Sequence, residues 1–271
     1  MRKRRIQIVP HLILIIVSLV MIVPLYWVLK TSLTGENLFI YPPSLIPENP
    51  HVFYFIDVYY WIPFIRYFFN SILVSVIVVV SNVVLNAMAG FALKYSFPGK
   101  RLIILTYLSC TMIPFQTTII PAFLLTKHLG LLNTHFGLAL PLMSTIINIF
   151  VFKASFDAVP LSLHDAAKID GMADWKMLFR IYLPLSKAAV GTNIILSFIW
   201  SWNNFIWPLI IINEREMQTL PLGLARFLSY FEDTSGQMYA FVLMVIAPVI
   251  AIFLLNQKRF ISGVLSGAVK G

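Results

Sequence analysis

The residues of this chain whose types could support chemistry are few, and none forms an acid–base or metal constellation. His164 and Asp165 are adjacent, and neighbouring positions on a helix point apart, so they make no catalytic dyad. The five histidines lack metal-ligand spacing. No phosphate-cradling or dinucleotide-binding glycine motif occurs, so ATP hydrolysis by this chain is not expected. The one cysteine, Cys110, lies in an apolar run and can form no intramolecular disulfide. No catalytic or metal-ligating residue is therefore assigned. Two other kinds of chemistry remain. The run "LHDAAKIDGMADWKMLFRIYLP", residues 163–184, gathers the densest charges of the sequence and suits docking. Asn193, Ser197, Trp200, Ser201, Asn203 and Asn204 bring hydrogen-bonding groups and indole rings into an apolar stretch.

The charged run carries its own start and stop signals. Ser162 is predicted to cap a helix, with Asp165 as the acidic half of a capping box. Gly171 is predicted to end it in the left-handed conformation, giving a helix of about nine residues, roughly 13 Å long. Leu163, Ala166, Ala167 and Asp170 fall at i, i+3, i+4 and i+7, a face of mostly small side chains that permits close approach. A second helix is predicted from Asp174, with Trp175, Leu178, Phe179 and Tyr182 on one apolar face before Pro184. Two short helices at a sharp turn form a knob. Docking against a soluble partner competes with lying on the membrane surface. Leu163 is the one large apolar side chain of the first face, too little area for anchoring, which favours docking.

The polar stretch also has two readings. Asn193, Ser197 and Ser201 follow at i+4, a stripe on one helix face. Polar groups inside apolar spans are expensive and mark solute pathways, and hydroxyl and amide groups beside Trp200, Trp202 and Trp207 suit a carbohydrate. Helix-to-helix packing uses the same residue types, and tryptophan near a helix end is ordinary interfacial anchoring. Gln116, Thr117 and Thr118, after the helix-bending Pro114, form a weaker candidate.

These groups must be positioned by elements built for lipid. Of 271 residues, 59% are hydrophobic and 11% charged, against about 25% charged in soluble proteins. Six stretches approach the roughly 20 apolar residues that cross a bilayer: about 10–29, 71–93, 102–125, 136–152, 188–212 and 238–255, with a connection at about 160–185 holding the charged run. The first follows "MRKRR", but its apolar core is too long for a signal peptide and no small-residue cleavage pattern follows. An uncleaved helix is expected. Basic residues are retained on the cytoplasmic side. With the N-terminus inside, Arg2, Lys3, Arg4, Arg5, Lys94, Lys100, Arg101, Lys153, Lys168, Lys176, Arg180, Lys187, Lys258, Arg259 and Lys270 are cytoplasmic. Lys30, Arg66, Lys127, Arg215 and Arg226 are outside. Both termini and the charged run are thus expected in the cytoplasm.

The first outer connection, rich in Tyr, Phe and Trp, is expected along the lipid headgroups. The last, "NEREMQTLPLGLARFLSYFEDTSGQ", is mixed in charge with an apolar half; both outer connections suit an external protein or a solvated loop. The tail "GVLSGAVKG" is expected to be flexible and cytoplasmic, reaching a partner or fraying. The net charge of +9 is spread between apolar stretches rather than along one patch, which excludes nucleic acid. No internal repeat or low-complexity linker appears, so residues 1–271 are read as a single transmembrane domain. A membrane-embedded enzyme would need intramembrane ionisable groups or a metal cluster. An ion-coupled carrier would need an intramembrane carboxylate or paired half-helices.

At this point a resemblance becomes specific. Asp165-Ala166-Ala167, three residues, Gly171 and then Ile181-Tyr182-Leu183-Pro184 resembles the EAA loop of permease subunits of bacterial ATP-binding-cassette importers, E-A-A-x-x-x-G followed by I-x-L-P. Asp165 stands where that family usually has Glu, keeping the charge and shortening the reach by one methylene. "RYFFNSILVS", "FALKYSFPGKR", "WNNFIWPL" and "FISGVLSGAVKG" are similar to the carbohydrate branch, in particular its maltose-type second permease, also seen in glycerol-phosphate importers. The resemblance implies an all-α, type I importer permease of six transmembrane helices in the bacterial inner membrane. It implies pairing with a second homologous permease, two ATPase subunits and an extracytoplasmic solute-binding protein, with a carbohydrate as cargo. It implies that Asp165, Ala166, Ala167, Asp170, Gly171 and Pro184 belong to the loop that grips an ATPase. ATP and Mg would then be used by that partner, and no cofactor by this chain. An importer of glycerol-3-phosphate or another solute is the alternative within the family, and an ion-coupled carrier the alternative outside it.

Overall fold

The computed structural model describes residues 8–35, 44–230 and 235–268. Arg2, Lys3, Arg4, Arg5 and Lys270 lie outside the described residues. Every regular element among the described residues is helical. The chain divides into two compact units, residues 1–64 with 223–247, and 65–222 with 248–271.

The first unit contains α1 (Ile8–Thr34) and α2 (Phe53–Trp61). Along α1 the side chains from Leu12 to Val23 stand exposed and, but for Ser18, apolar on all sides, the composition of a helix surrounded by hydrocarbon rather than water. Part of the aromatic connection between α1 and α3 folds as α2, which turns Phe53, Tyr59 and Tyr60 outward. Trp61 stacks on Phe227 at 6.1 Å and Phe227 meets Phe241 edge-on at 5.8 Å.

The second unit is built around α3 (Phe64–Ala92), a 29-residue helix with no proline. Its faces are inverted relative to a soluble helix. Leu73, Val76, Val80, Leu85 and Met88 are exposed, while Asn70, Ser71, Ser75, Asn82 and Asn86 are buried with Val74 and Val78. Lipid solvates the apolar face, and the polar groups must find partners inside. α4 (Lys100–Thr111) and α5 (Phe115–His128) follow, then α6 (His135–Ala139), a 3₁₀ turn (Leu140–Leu142) and α7 (Ile146–Asp157). Beyond them come α8 (Leu161–Ile169), α9 (Asp174–Met177), a π-helical segment (Leu178–Tyr182), α10 (Leu183–Leu185), α11 (Lys187–Trp202) and α12 (Ile206–Ile211). α13 (Leu220–Tyr230) and α14 (Ser235–Ala268) complete the chain. The tail expected to be flexible is helical as far as Ala268, continuing α14.

Among the described residues three helices are long and apolar enough to cross a membrane, within Pro10–Thr34, Phe64–Ala92 and Ser235–Leu255, and three bent pairs bring the number to six if each is one span. The stretch predicted at 102–125 is not continuous: it bends by 101° between α4 and α5. Pro114 has no amide hydrogen for the helical ladder, and its β-region backbone begins a new helix. The pair around 136–157 bends by 56°, and Asp174–Leu185 meets Lys187–Trp202 at 89°. The stretch predicted at 188–212 is likewise interrupted after Trp202, where the chain passes through Asn203 and Asn204 before α12.

Among the described residues two apolar cores stand out in the second unit. One joins Phe91, Phe152, Phe156, Ala167, Met177, Leu178 and Tyr182. The other joins Val74, Val78, Leu138, Leu142, Trp207, Ile211 and Leu222. α3 and α7 cross closely because Gly90 has no side chain: a Cβ there would lie 2.8 Å from Phe152 Cβ and 3.0 Å from the Ile149 carbonyl.

Candidate functional site

The knob at 160–185 forms, with two corrections. α8 starts at Leu161, one residue before the expected cap, and Pro160 occupies the N-cap without a side-chain bond. The Pro160 carbonyl already accepts from the Leu163 amide at 3.2 Å, so Ser162 is inside the first turn and cannot adopt the extended backbone of a capping residue. The exit is as the sequence predicts. Gly171 has φ +72°, its amide donates to the Lys168 carbonyl at 3.0 Å, and the Met172 amide donates to the Ala167 carbonyl at 2.9 Å, the paired bonds of a Schellman ending.

The packed face also differs from the expected one. α8 buries His164 and Ala167, while Leu163, Asp165, Ala166 and Asp170 are exposed. After α9 the backbone widens into the π segment, whose longer hydrogen-bonding step rotates the side chains that follow. Leu178 and Tyr182 are buried, whereas Trp175, which precedes this segment, and Phe179 are exposed. The outer surface of the knob presents Leu161, Ile169 (86% exposed) and Trp175 beside Asp165 and Asp170. Pro184 lies in α10 beyond it.

Residues that the sequence reading used only for topology, or passed over, hold the knob in place. Lys94 Nζ donates to the carbonyls of Phe156 (2.7 Å) and Val159 (2.9 Å), which flank the end of α7, and sits 5.0 Å from the Tyr182 ring centre. Tyr95 Oη is 2.7 Å from His164 Nδ1 on α8 and donates to Tyr182 Oη at 3.4 Å. Burial, the bond to Tyr182 and the neighbouring carboxylates of Asp174 and Asp165 push the Tyr95 phenol well above its ordinary pKa. It stays protonated. No short-range pattern marks this cluster; the one signal was "LKY" at the end of a span, where a lysine followed by a tyrosine suits both snorkelling and capping.

The predicted polar stripe is divided. Asn193, Ser197 and Ser201 are buried, while Trp200 and Asn203 are exposed and Asn204 is half-buried. Ser197 Oγ accepts from Asn148 Nδ2 at 2.9 Å, Asn193 Nδ2 donates to the Asn148 carbonyl at 3.3 Å, and Ser75 Oγ donates to Ser201 Oγ at 3.4 Å. Asn204 Oδ1 accepts from the Trp207 amide at 3.3 Å and closes the turn into α12. The stripe continues a larger network centred on Asn82. Its amide donates to the Leu142 carbonyl at 2.6 Å, and its Oδ1 accepts from Asn86 (2.8 Å), Thr145 (3.1 Å) and Asn148 (3.3 Å). Asn86 Oδ1 accepts in turn from Ser144 Oγ at 2.7 Å. The i, i+4 spacing of Asn82 and Asn86 within an apolar run was a readable signal of this layer. Asn193 Oδ1 is buried without a partner. Gln116, Thr117 and Thr118 are exposed at the start of α5. Among the described residues no group of three His, Cys, Asp or Glu side chains is placed to hold a metal ion.

Comparison with known proteins agrees with this architecture. Residues 4–260 match the family model described as binding-protein-dependent transport system inner membrane component. The arabinooligosaccharides transport system permease protein AraQ of Bacillus subtilis (strain 168) is 35% identical, covering 96% of this chain and 94% of that protein. The lactose transport system permease protein LacG of Rhizobium radiobacter is 28% identical over 100% and 98%. The sn-glycerol-3-phosphate transport system permease protein UgpE of Brucella abortus (strain 2308) is 28% identical over 96% of each chain. The fold matches a chain from the crystal structure of a bacterial ABC transporter involved in the import of the acidic polysaccharide alginate, with a TM-score of 0.80 and 24% identity over 96% of this chain and 98% of that one. The chain belongs to the family of inner membrane components of binding-protein-dependent transport systems, multi-pass transport permeases rather than enzymes.

Proposed function

We propose that the chain is the permease subunit of an ATP-driven importer of a carbohydrate, supplying half of a translocation pathway. The observation that carries the coupling half of this reading is the outward face of the knob. Leu161, Ile169 and Trp175 are exposed beside Asp165 and Asp170, a mixture of apolar and acidic groups suited to a basic, partly apolar groove on a protein. In this reading the 160–185 segment is cytoplasmic, with both termini on the same side. Asp165, Ala166, Asp170 and Gly171 meet the ATPase directly or shape what does, Ala167 seats the helix on its own subunit, and Pro184 ends the unit. The partners are two ATPases, which use the ATP and Mg, a second homologous permease and an external solute-binding protein. Residues 1–271 act as a single transmembrane domain.

A sugar as cargo is supported by the named cargoes of AraQ and LacG. A second reading, sn-glycerol-3-phosphate, is favoured by the likeness to UgpE. The candidate pathway residues Asn193, Ser197, Trp200, Ser201, Asn203 and Asn204 include no cation to meet a phosphate, which supports an uncharged sugar. Of these, Trp200 and Asn203 are the exposed ones and are proposed as the direct contacts. Affinity purification of the chain from its native membrane tests the assignment. An ATPase and a second permease are expected with it, and the accompanying binding protein is then screened against oligosaccharides and glycerol-3-phosphate. A chain that purifies alone and moves solute without ATP is a carrier, and the proposal fails.

A further inference from the structure

We infer that α3 is a transmembrane strut that joins the knob at one end to the 213–220 segment at the other, with Lys94, Tyr95, Asn70 and Ser71 as its positioning residues. The inference rests on the coupling role proposed for the knob. At the knob end, α3 is followed directly by Lys94 and Tyr95. Lys94 binds the two carbonyls, of Phe156 and Val159, from which the chain enters α8, and Tyr95 binds His164 on the buried face of α8. Phe91 lies 4.9 Å from the Tyr182 ring on the return side of the knob. Both strands of the loop are thus held by one helix end.

At the far end the arrangement is repeated with different residues. Asn70 Nδ2 donates to the carbonyls of Glu216 (2.8 Å) and Gln218 (3.0 Å), and Asn70 Oδ1 pairs with His135 Nε2 at 2.9 Å. Ser71 Oγ accepts from the Leu220 amide at 2.8 Å. Asn70 is 6% exposed and Ser71 3%, so these bonds form away from competing water. The Arg66–Glu216 ion pair at 2.8 Å is exposed and adds little.

The rod between the ends is unbroken over 29 residues, about 43 Å at 1.5 Å per residue. Three helix pairs of this unit bend instead, by 101°, 56° and 89°. An unbroken, proline-free helix gripping a loop at each end transmits displacement, whereas a broken one absorbs it.

The test uses the whole transporter, permeases with ATPases, in lipid nanodiscs, and reads ATP hydrolysis without and with its purified solute-binding protein carrying the solute it brings from the native envelope. Tyr95→Phe keeps the ring packing and removes the hydroxyl. Ser71→Ala removes the acceptor at the other end. Each is expected to leave basal hydrolysis in place and to cut stimulation by the binding protein about fivefold or more. Lys94→Met is expected to do the same and Lys94→Arg to restore stimulation. Because both ends act through one helix, Tyr95→Phe with Ser71→Ala should lose less than the product of the single losses. Full stimulation in Tyr95→Phe and Ser71→Ala, or losses that multiply independently, overturns the strut. Should Lys94→Met fail to assemble, the two milder variants decide alone. If the unmodified chain binds no ATPase, the coupling reading has failed before the strut is reached.

Discussion

The knob and the asparagine layer both hold residues singled out for their chemistry, and they treat polarity in opposite ways. In the knob, apolar groups face outward beside charges: Ile169 is more exposed than most of the lipid-facing residues of α3. In the layer, polar groups face inward, and Asn82, Asn86, Asn148 and Ser197 satisfy one another. Exposed apolar groups gain by meeting a partner, and buried polar groups gain by already having met theirs. Docking surface and internal scaffold are thus told apart by which kind of group is left unmatched.

This contrast can be tested most severely within α8. Ala167 is buried and Ala166 beside it is exposed. Ala167→Glu should cost about 3 kcal/mol or more by burying a charge, seen as a lowered unfolding midpoint of the purified subunit. Ala166→Glu should leave that midpoint unchanged and abolish ATPase copurification. Equal midpoints for the two would erase the distinction between packed and docking faces.

Next in size is Asn82→Ala. It removes five hydrogen bonds at about 0.6 kcal/mol each within a membrane, so reversible unfolding in bicelles should show a loss of about 3 kcal/mol while ATPase binding persists. Loss of ATPase binding with intact stability would join the two regions that the comparison separates.

Gly171→Ala is expected to cost about 1–2 kcal/mol from its positive φ alone, since a Cβ there meets nothing within 4 Å. Gly171→Asn should recover much of that, and transport per ATP should follow the same order. Similar coupling in all three would remove the Schellman turn from the docking surface.

The smallest effect belongs to Ser201→Ala. Its bond to Ser75 is long at 3.4 Å, and about 0.6 kcal/mol or less is expected, with uptake unchanged. Uptake lost at full stability would make Ser201 a solute contact rather than scaffold.

What the sequence made legible was local. Apolar length gave α1, α3 and α14, and the left-handed glycine gave the end of α8, because neighbours in the chain settle such features. Ser162 misled because Pro160 started the helix earlier. The apolar face predicted for Trp175 to Tyr182 assumed 3.6 residues per turn, and the π segment does not keep that period. Lys94 was counted as one more cytoplasmic charge, yet its partners lie more than sixty residues along the chain. Asn193, Ser197 and Ser201 were seen as a stripe, but whether a stripe meets solute or another helix depends on Asn148 and Ser75, which no spacing rule brings near.

The inverted faces of α3 also bear on how the molecule is made. Residues 64–92 leave the ribosome before 146–157 and 187–202, which carry Asn148, Asn193 and Ser197. The exposed leucines and valines of α3 favour entry into the bilayer at once, while Asn82 and Asn86 arrive with only each other and the Val78 carbonyl to bond, Leu142, Ser144, Thr145 and Asn148 being still unsynthesised. Biogenesis therefore includes an interval in which a polar seam must be sheltered from lipid, by water at the insertion channel or by a chaperone, and it closes only when the second half of the chain is delivered.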